Sequence, residues 1–498
     1  MQQSVRPRLK KSTKKVRSPE SPRADSTLVR LFHKMAAEVP AYKKFLKNAG
    51  TRAADIKTDH DLLRIPLTSK DNYLRPAKYA DLFWGGSLAT PHVLTSTSGS
   101  TGEPFFFGRS PTIDEQSALI HERFFLQTSL SKTESTLVII CFGMGIWIGG
   151  LLTYQAFELM SKRGHPISII TPGINRTEIL KILRKLAPSY KQIILTGYPP
   201  FIKDVLDGAA EAGISLKNHK VAILFAAEAF TEQFRDYVVK KANIKNPLTD
   251  TMNVYGSADV GTMAFETPLS IRVRQIAIQK PEIFKTLFGD ISKTPTLAQN
   301  IPAYTAFEQH EGQLLLSADS AMPLMRYAIG DNGGVYTFAE IERIMADHGV
   351  DLLKEMKAAK IPDDLRLLPF VYVYERSDLS ATLYGLQVYP ETVKEVLLGE
   401  SFAPFLSGRL TLATRFDDSH DQYLEINVEL RQGREASPEF SALLLAEIIK
   451  NLKEKNSEFR ELCNFLGARS VPKIVYWPYE DPAYFRRDIK QRWVLKQN

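Results

Sequence analysis

Cysteine is almost absent from this chain: Cys141 and Cys463 are the only two among 498 residues. That scarcity argues against a disulfide framework or a thiolate zinc cluster, and it suits a reducing, cytoplasmic compartment. The nine histidines show no ligand spacing, and no Ser-His-Asp order stands out, so neither a transition-metal site nor hydrolase chemistry is indicated. The GxxxxGK[ST] phosphate loop is missing as well. Residues 1–25, which contain RPRLKKSTKKVRSPESPR, lack the apolar core of a secretory signal. They read as a disordered basic tail, with contact to nucleic acid or acidic lipid as the other reading. The tail holds much of the net charge of +8, which suggests anionic ligands without identifying one and gives no clear nucleic-acid partner. Long hydrophobic runs are equally scarce. Only Thr136–Tyr154, TLVIICFGMGIWIGGLLTY, has the length and apolarity of a membrane span. Its β-branched start, followed by glycines at 143, 145, 149 and 150, reads instead as a buried strand, a sharp turn and a helix start.

What remains is a globular composition, 44% hydrophobic and 24% charged, with a mean hydropathy of -0.18 and enough length for a large core. From about Thr112 to Lys241, helical periodicity alternates with short apolar runs at 137–141, 167–170, 192–196 and 221–225. This pattern predicts an α/β fold with a mostly parallel sheet covered by helices. Ligand-binding loops in such sheets follow the carboxyl ends of strands, and several marked stretches fall there. Residues Thr95 to Gly102 are all Ser, Thr or Gly and are followed by Glu103-Pro104 and three phenylalanines. Such a loop bends tightly and offers many donors to phosphate oxygens, although a surface linker has the same composition. Trp147, among glycines that include Gly149, supplies a flat apolar wall or a packed core turn. Glu228 follows Ala226-Ala227 as an adenine neighbour or a helix-start acid. Tyr255-Gly256 offers a ring to stack on a purine, and Asp259 a hard oxygen for magnesium. Arg326 requires an acidic partner or an anion, and Asp331 sits behind Gly330 in a turn that can reach a diol. The strands at 304–307 and 313–316 suggest a small barrel-like subdomain. The acidic turn Asp417–Asp421 reads as a solvated hairpin loop.

In order, these stretches resemble the acyl-adenylate-forming, AMP-binding enzymes in their phenylacetate-CoA ligase-like branch. STSGSTGEP is similar to the phosphate-binding loop, AAE to the adenine-lining stretch, YGSAD to the YGxxE motif, and MPLMRYAIGD to MPLxRYxxGD. VPAYKKFLKNAG and IPLTSK resemble the family's opening segments, and ERSDLSATLYGLQVYP resembles its interdomain hinge. The resemblance implies a large N-terminal ATP- and acid-binding domain over 26–377, a hinge at Asp378, and a small α+β lid over 378–498. It implies phosphate contacts from Ser98, Gly99, Ser100, Thr101 and Gly102, with Thr101 also catalytic. Ala227, Glu228, Tyr255, Gly256, Asp331 and Arg376 are the implied nucleotide contacts. Trp147, Gly149 and Tyr255 line the implied acyl pocket, Asp259 the magnesium site, and Arg326 and Lys490 are the implied catalytic cations. Asp259 is one methylene shorter than the usual glutamate, while Glu375 and Leu379 depart from the hinge pattern. No Gly-Lys pair closes the chain, so Lys490 is assigned by its spacing to Arg492 and Trp493, with Lys473 and Lys496 as lesser candidates.

The implied activity is a ligase reaction using ATP and Mg2+. An apolar, aromatic carboxylic acid becomes an acyl-adenylate and is then transferred to the thiol of CoA. An amine or a carrier protein as acceptor, and a degenerate nucleotide-binding relative, remain open on sequence alone. Oligomeric state is not encoded in any of these stretches.

Overall fold

A computed structural model of the protein describes residues 27–90, 92–97, 104–289, 294–374, 380–485 and 494–495. The opening helices Thr27–Glu38 and Pro40–Asn48 bury Phe32, Met35, Tyr42 and Leu46. The donor-rich loop joins β1 (Val93–Ser96) to β2 (Phe106–Arg109), an antiparallel hairpin in which Ser96 faces Phe106.

The α/β alternation is present where periodicity predicts it. Strands β3 (Thr136–Cys141), β4 (Ile167–Ile170), β5 (Gln192–Gly197), β6 (Lys220–Ala226) and β7 (Thr251–Ser257) form a parallel array in the order β4-β3-β5-β6-β7. β3 is buried throughout, with Leu137, Ile139 and Cys141 on one face and Val138 and Ile140 on the other. Each face packs into a different hydrophobic core, as expected for a strand covered by helices on both sides. The stretch long enough to span a membrane is therefore β3, a glycine-rich turn, and the helix Ile148–Lys162. At Gly150 a Cβ would come within 2.4 Å of the Gly143 carbonyl oxygen, so only glycine lets this helix start against the turn. Among the described residues no helix is long and apolar enough to cross a membrane.

Beyond β7 the sheet continues antiparallel. It passes through β8 (Gly261–Phe265), β9 (Thr296–Gln299), β10 (Thr305–His310), β11 (Gln313–Ala318), β12 (Leu324–Tyr336) and β13 (Phe370–Tyr374), ordered β7-β8-β9-β13-β12-β11-β10. β10 and β11 thus form an edge of the same eleven-stranded sheet and not a separate barrel. The segment between β8 and β9 supplies two helices, Pro268–Gln279 and Pro281–Phe288.

After residue 380 the hairpin β14 (Ala381–Leu383) and β15 (Leu386–Val388) precedes β16 (Leu406–Phe416) and β17 (Gln422–Leu430), which pair antiparallel. β18 (Lys473–Trp477) and β19 (Val494–Leu495) flank them in the order β18-β17-β16-β19, and helices Pro438–Lys455 and Ser457–Leu466 cover the sheet. This is the expected α+β unit. It shares one hydrophobic core with the face of the large sheet that holds Leu137 and Ile139. The expected boundary at Asp378 lies outside the described residues.

Candidate functional site

The register of the parallel strands builds the site. Cys141 pairs with Gly197, Gly197 with Phe225, and Ala226 with Val254, so the segments leaving β3, β5, β6 and β7 emerge on one level. They wall a cavity of about 330 Å³, with the C-terminal unit as its roof. Trp147, Gly149, Ala227, Glu228, Tyr255, Gly256, Asp259 and Asp331 all line it. Residues some 180 positions apart are thereby brought to one cleft.

At one end, the Tyr255 hydroxyl donates to Asp331 Oδ2 at 2.5 Å, and the Tyr255 ring lies over Phe307 with centroids 6.0 Å apart. The phenol holds the carboxylate in place while the ring edges the cavity. Ala227 has φ +77, a left-handed conformation that disfavours larger side chains. Beside it, Asn253 Nδ2 donates to the Glu228 carbonyl at 2.9 Å, while Asn253 Oδ1 is buried without a partner among the described residues. An acceptor left open at the cleft suits a donor such as an exocyclic amine. The Glu228 carboxylate itself takes the Gly385 backbone N–H and Gln422 Nε2, the latter at 3.1 Å. Its oxygens therefore seat the C-terminal unit.

Toward the loop, Ser96 and Thr97 line the cavity. The Thr97 N–H donates to the Phe105 carbonyl at 3.0 Å, and the Phe105 N–H donates in return to Thr97 Oγ1 at 3.0 Å. The loop is thus closed at its base on the cavity rim. Ser98, Gly99, Ser100, Thr101 and Gly102 lie outside the described residues, as do Arg376, Asp378 and Lys490.

Asp259 is buried. Its Oδ2 accepts from the Tyr327 hydroxyl at 2.6 Å, and Lys70 Nζ stands 3.5 Å from Oδ1. Among the described residues no group of three His, Cys, Asp or Glu could hold a metal. One carboxylate beside an ammonium is too poor a donor set for a resident ion, but it fits magnesium carried in by polyphosphate oxygens, the usual way that ion is held.

The opposite end is apolar: Phe142, Trp147, Ile148 and Leu152, with His121 and Tyr198 among them. Burial pushes the Tyr198 phenol above its ordinary range. Glu458, in the first turn of helix Ser457–Leu466, enters this end from the C-terminal unit, and burial pushes its carboxyl up to about 7.

Arg326 does not reach the cleft. Its guanidinium is bound by Glu308 at 2.7 Å and by the carbonyls of Leu63, at 2.7 Å, and Ile65. The acidic partner required by the sequence is Glu308, and the expected contact with reacting atoms is replaced by a role in positioning. The Asp417–Asp421 turn is likewise more than a solvated loop, since Asp421 Oδ1 meets Lys203 Nζ at 2.5 Å and Arg469 at 3.2 Å. Lys70, His121, Asn253, Tyr198 and Glu458 had no assigned role in the sequence. Only Lys70 carried a signal there, as the end of the IPLTSK segment.

No protein-family model matches the chain. It is 23% identical over 429 residues to a phenylacetate-coenzyme A ligase of Aromatoleum evansii, covering 83% of each chain. Identity is also 23%, over 382 residues, to the phenylacetate-coenzyme A ligase of Thermus thermophilus, covering 75% of this chain and 74% of the other. Among solved structures, 2-hydroxyisobutyryl-CoA ligase with 2-HIB-AMP and CoA in its thioesterification state aligns at TM-score 0.61 and 15% identity, over 94% of this chain and 88% of that one. The fold is that of the adenylate-forming CoA ligases. In sequence the chain is phenylacetate-CoA ligase-like along three quarters or more of its length. The same 2-hydroxyisobutyryl-CoA ligase in a postadenylation state aligns less well, at TM-score 0.51 and 14% identity with the same coverage. The cleft between the large sheet and the C-terminal unit, where the residues singled out by the sequence meet, is the candidate active site.

Proposed function

We propose that the protein is an AMP-forming acid-CoA ligase that activates an apolar, aromatic carboxylic acid in the cytoplasm. The observation carrying this reading is the convergence of Tyr255, Asp331, Asp259 and the base of the donor-rich loop on one cleft that becomes apolar beyond Trp147. A carboxylate oxygen of the acid attacks the α-phosphorus of ATP. A new P–O bond forms, the bond to the bridging oxygen breaks, and pyrophosphate leaves with its electron pair. Asp331 takes the ribose hydroxyls, Tyr255 and the backbone at Ala227 hold adenine, and Trp147 and Gly149 border the acyl group. Ser98, Ser100 and Thr101 hold the departing phosphates, with Arg376 and Lys490 as further cations; Asp378 is the hinge. Asp259 would hold the magnesium ion, and Lys70, 3.5 Å from its carboxylate, adds positive charge beside the phosphates. Magnesium, when bound, supplies charge neutralisation of the phosphate oxygens. The CoA thiol then attacks the acyl carbon, its proton is lost to solvent or a base, and AMP departs.

The domain arrangement fits that second half-reaction, because the overlap is larger with the thioesterification state than with the postadenylation state of the compared ligase. Pyrophosphate exchange across aromatic and aliphatic acids, followed by acceptor trials with CoA, amines and hydroxylamine, tests the reading. Acid-dependent exchange and a CoA thioester product are expected. Binding of ATP without exchange for any acid would identify a nucleotide-binding relative instead.

A further inference from the structure

The apolar end of the cleft contains a buried, unpartnered polar group that the proposed chemistry does not use. His121 lies on helix Pro111–Gln127, one turn after Ser117, whose hydroxyl meets Thr262 Oγ1 at 3.0 Å on β8. His121 Nδ1 is 2.8 Å from the Ser117 carbonyl oxygen. A carbonyl only accepts, so Nδ1 carries the hydrogen and Nε2 presents a lone pair. That nitrogen is buried and has no partner among the described residues, yet the side chain, only 2% exposed, borders the cavity. The ring is fixed edge-on to Phe157, with centroids 5.3 Å apart. Burial lowers its pKa to about 4, so at neutral pH it cannot serve as a cation for a second carboxylate. The one interaction left to Nε2 is to accept a hydrogen bond, and none of the described residues donates one.

Resting on the acid-activating reading, we propose that the substrate acid bears a hydrogen-bond donor, a hydroxyl or an N–H, on its hydrocarbon portion, and that His121 Nε2 selects it. Specificity follows from asymmetry. An acid lacking the donor leaves the buried nitrogen unpaired, whereas a matched donor pairs it. The unpartnered Nε1 of Trp147, at the same end of the cleft, gives the recess a complementary donor for the oxygen of a hydroxyl.

The test uses the full chain and pyrophosphate exchange with phenylacetate, its three ring-hydroxylated isomers, the corresponding amino acids of the ring series, and methoxy analogues that add bulk without a donor. Short aliphatic acids with and without a hydroxyl form a second series. At least one donor-bearing acid should exceed both its parent and its methoxy analogue in kcat/KM by roughly 10²-fold, within the range for sites that bind a substrate hydroxyl. His121→Phe should bring that ratio near unity, and His121→Gln, which keeps an acceptor, should restore part of it. Equal ratios in wild type and His121→Phe, or wild-type preference for every parent acid, would overturn the proposal even with exchange intact. If no acid supports exchange, the ligase reading falls. Calorimetric binding of the same acids to wild type then decides the recess, with a preference for donors sustaining it and none rejecting it.

Discussion

At the scale of single residues, Arg326 and Asp331 show how one motif divides its work. They are five positions apart on β12, but bulges against β11 and positive φ at Arg326 and Gly330 break the regular alternation between them. Asp331 meets Tyr255 in the cleft, while Arg326, at φ +46, turns toward Glu308 and the carbonyls of Leu63 and Ile65. The sequence carried both as one motif, but the bulged backbone that separates a ligand from a clamp depends on how β12 pairs with β11. Arg326→Met should lower stability by about 3–5 kcal/mol, the range for removing one partner of a buried ion pair. Arg326→Lys should restore little, because one ammonium cannot span the planar fork. Urea unfolding midpoints check both, and near-wild-type stability of Arg326→Met would show that the clamp is idle. Asp331→Ala should behave in the opposite way. It removes an acceptor from the cleft, so ATP affinity should fall by roughly tenfold or more, as for loss of a charge-assisted hydrogen bond. Titration calorimetry showing unchanged ATP affinity would remove Asp331 from ribose binding.

At the scale of elements, helix Ser457–Leu466 brings Glu458 to the roof of the cavity, where burial raises its carboxyl to about 7. A carboxyl whose folded pKa lies above its unfolded value binds an extra proton in the folded state. Its favourable contribution is complete below the ordinary carboxylate range, near 4.5, and is lost as pH rises through about 7. Between pH 5 and 8 the wild-type Tm should therefore fall more steeply than that of Glu458→Gln, which cannot ionise. Parallel Tm curves would place this carboxyl in ordinary solvent contact. The elements themselves were largely legible. Alternating periods placed β3 to β6 and their helices because both faces of those strands are apolar. β10 and β11 read as a separate barrel because short strands carry no record of which distant strand they join. Glu458 and His121 were hidden for a related reason: a lone polar residue on a helix has no spacing that announces the cleft it will face.

At the scale of the whole molecule, the C-terminal unit is seated by matched charges as well as by the shared core. Arg469 reaches Asp204 Oδ1 at 2.7 Å, Lys203 reaches Asp421 at 2.5 Å, and Glu228 holds the Gly385 N–H. Gly385 lies directly against the large sheet's loops, on Glu228 and Tyr198. It follows Tyr384 in a two-residue hairpin turn with φ values of +48 and +84, and a Cβ on it would stand 2.5 Å from the Tyr198 ring. Tyr198 is partly buried and packs edge-on against Phe142 with centroids 5.1 Å apart, which limits its room to withdraw. Gly385→Ala should thus oppose this arrangement twice, through backbone strain and through overlap with the ring. If the arrangement is the thioester-forming one, Gly385→Ala should slow CoA transfer from supplied acyl-adenylate by roughly tenfold or more, as about 1–3 kcal/mol of overpacking would, and leave pyrophosphate exchange near wild type. Lys490→Ala should do the reverse, slowing adenylation by roughly 10²-fold as expected for one aimed electrostatic group and sparing transfer. Arg492→Ala controls for the loss of local charge. Single-turnover assays of the two half-reactions separate these outcomes. Equal slowing of both steps by Gly385→Ala would mean that one seat of the C-terminal unit serves adenylation and transfer alike.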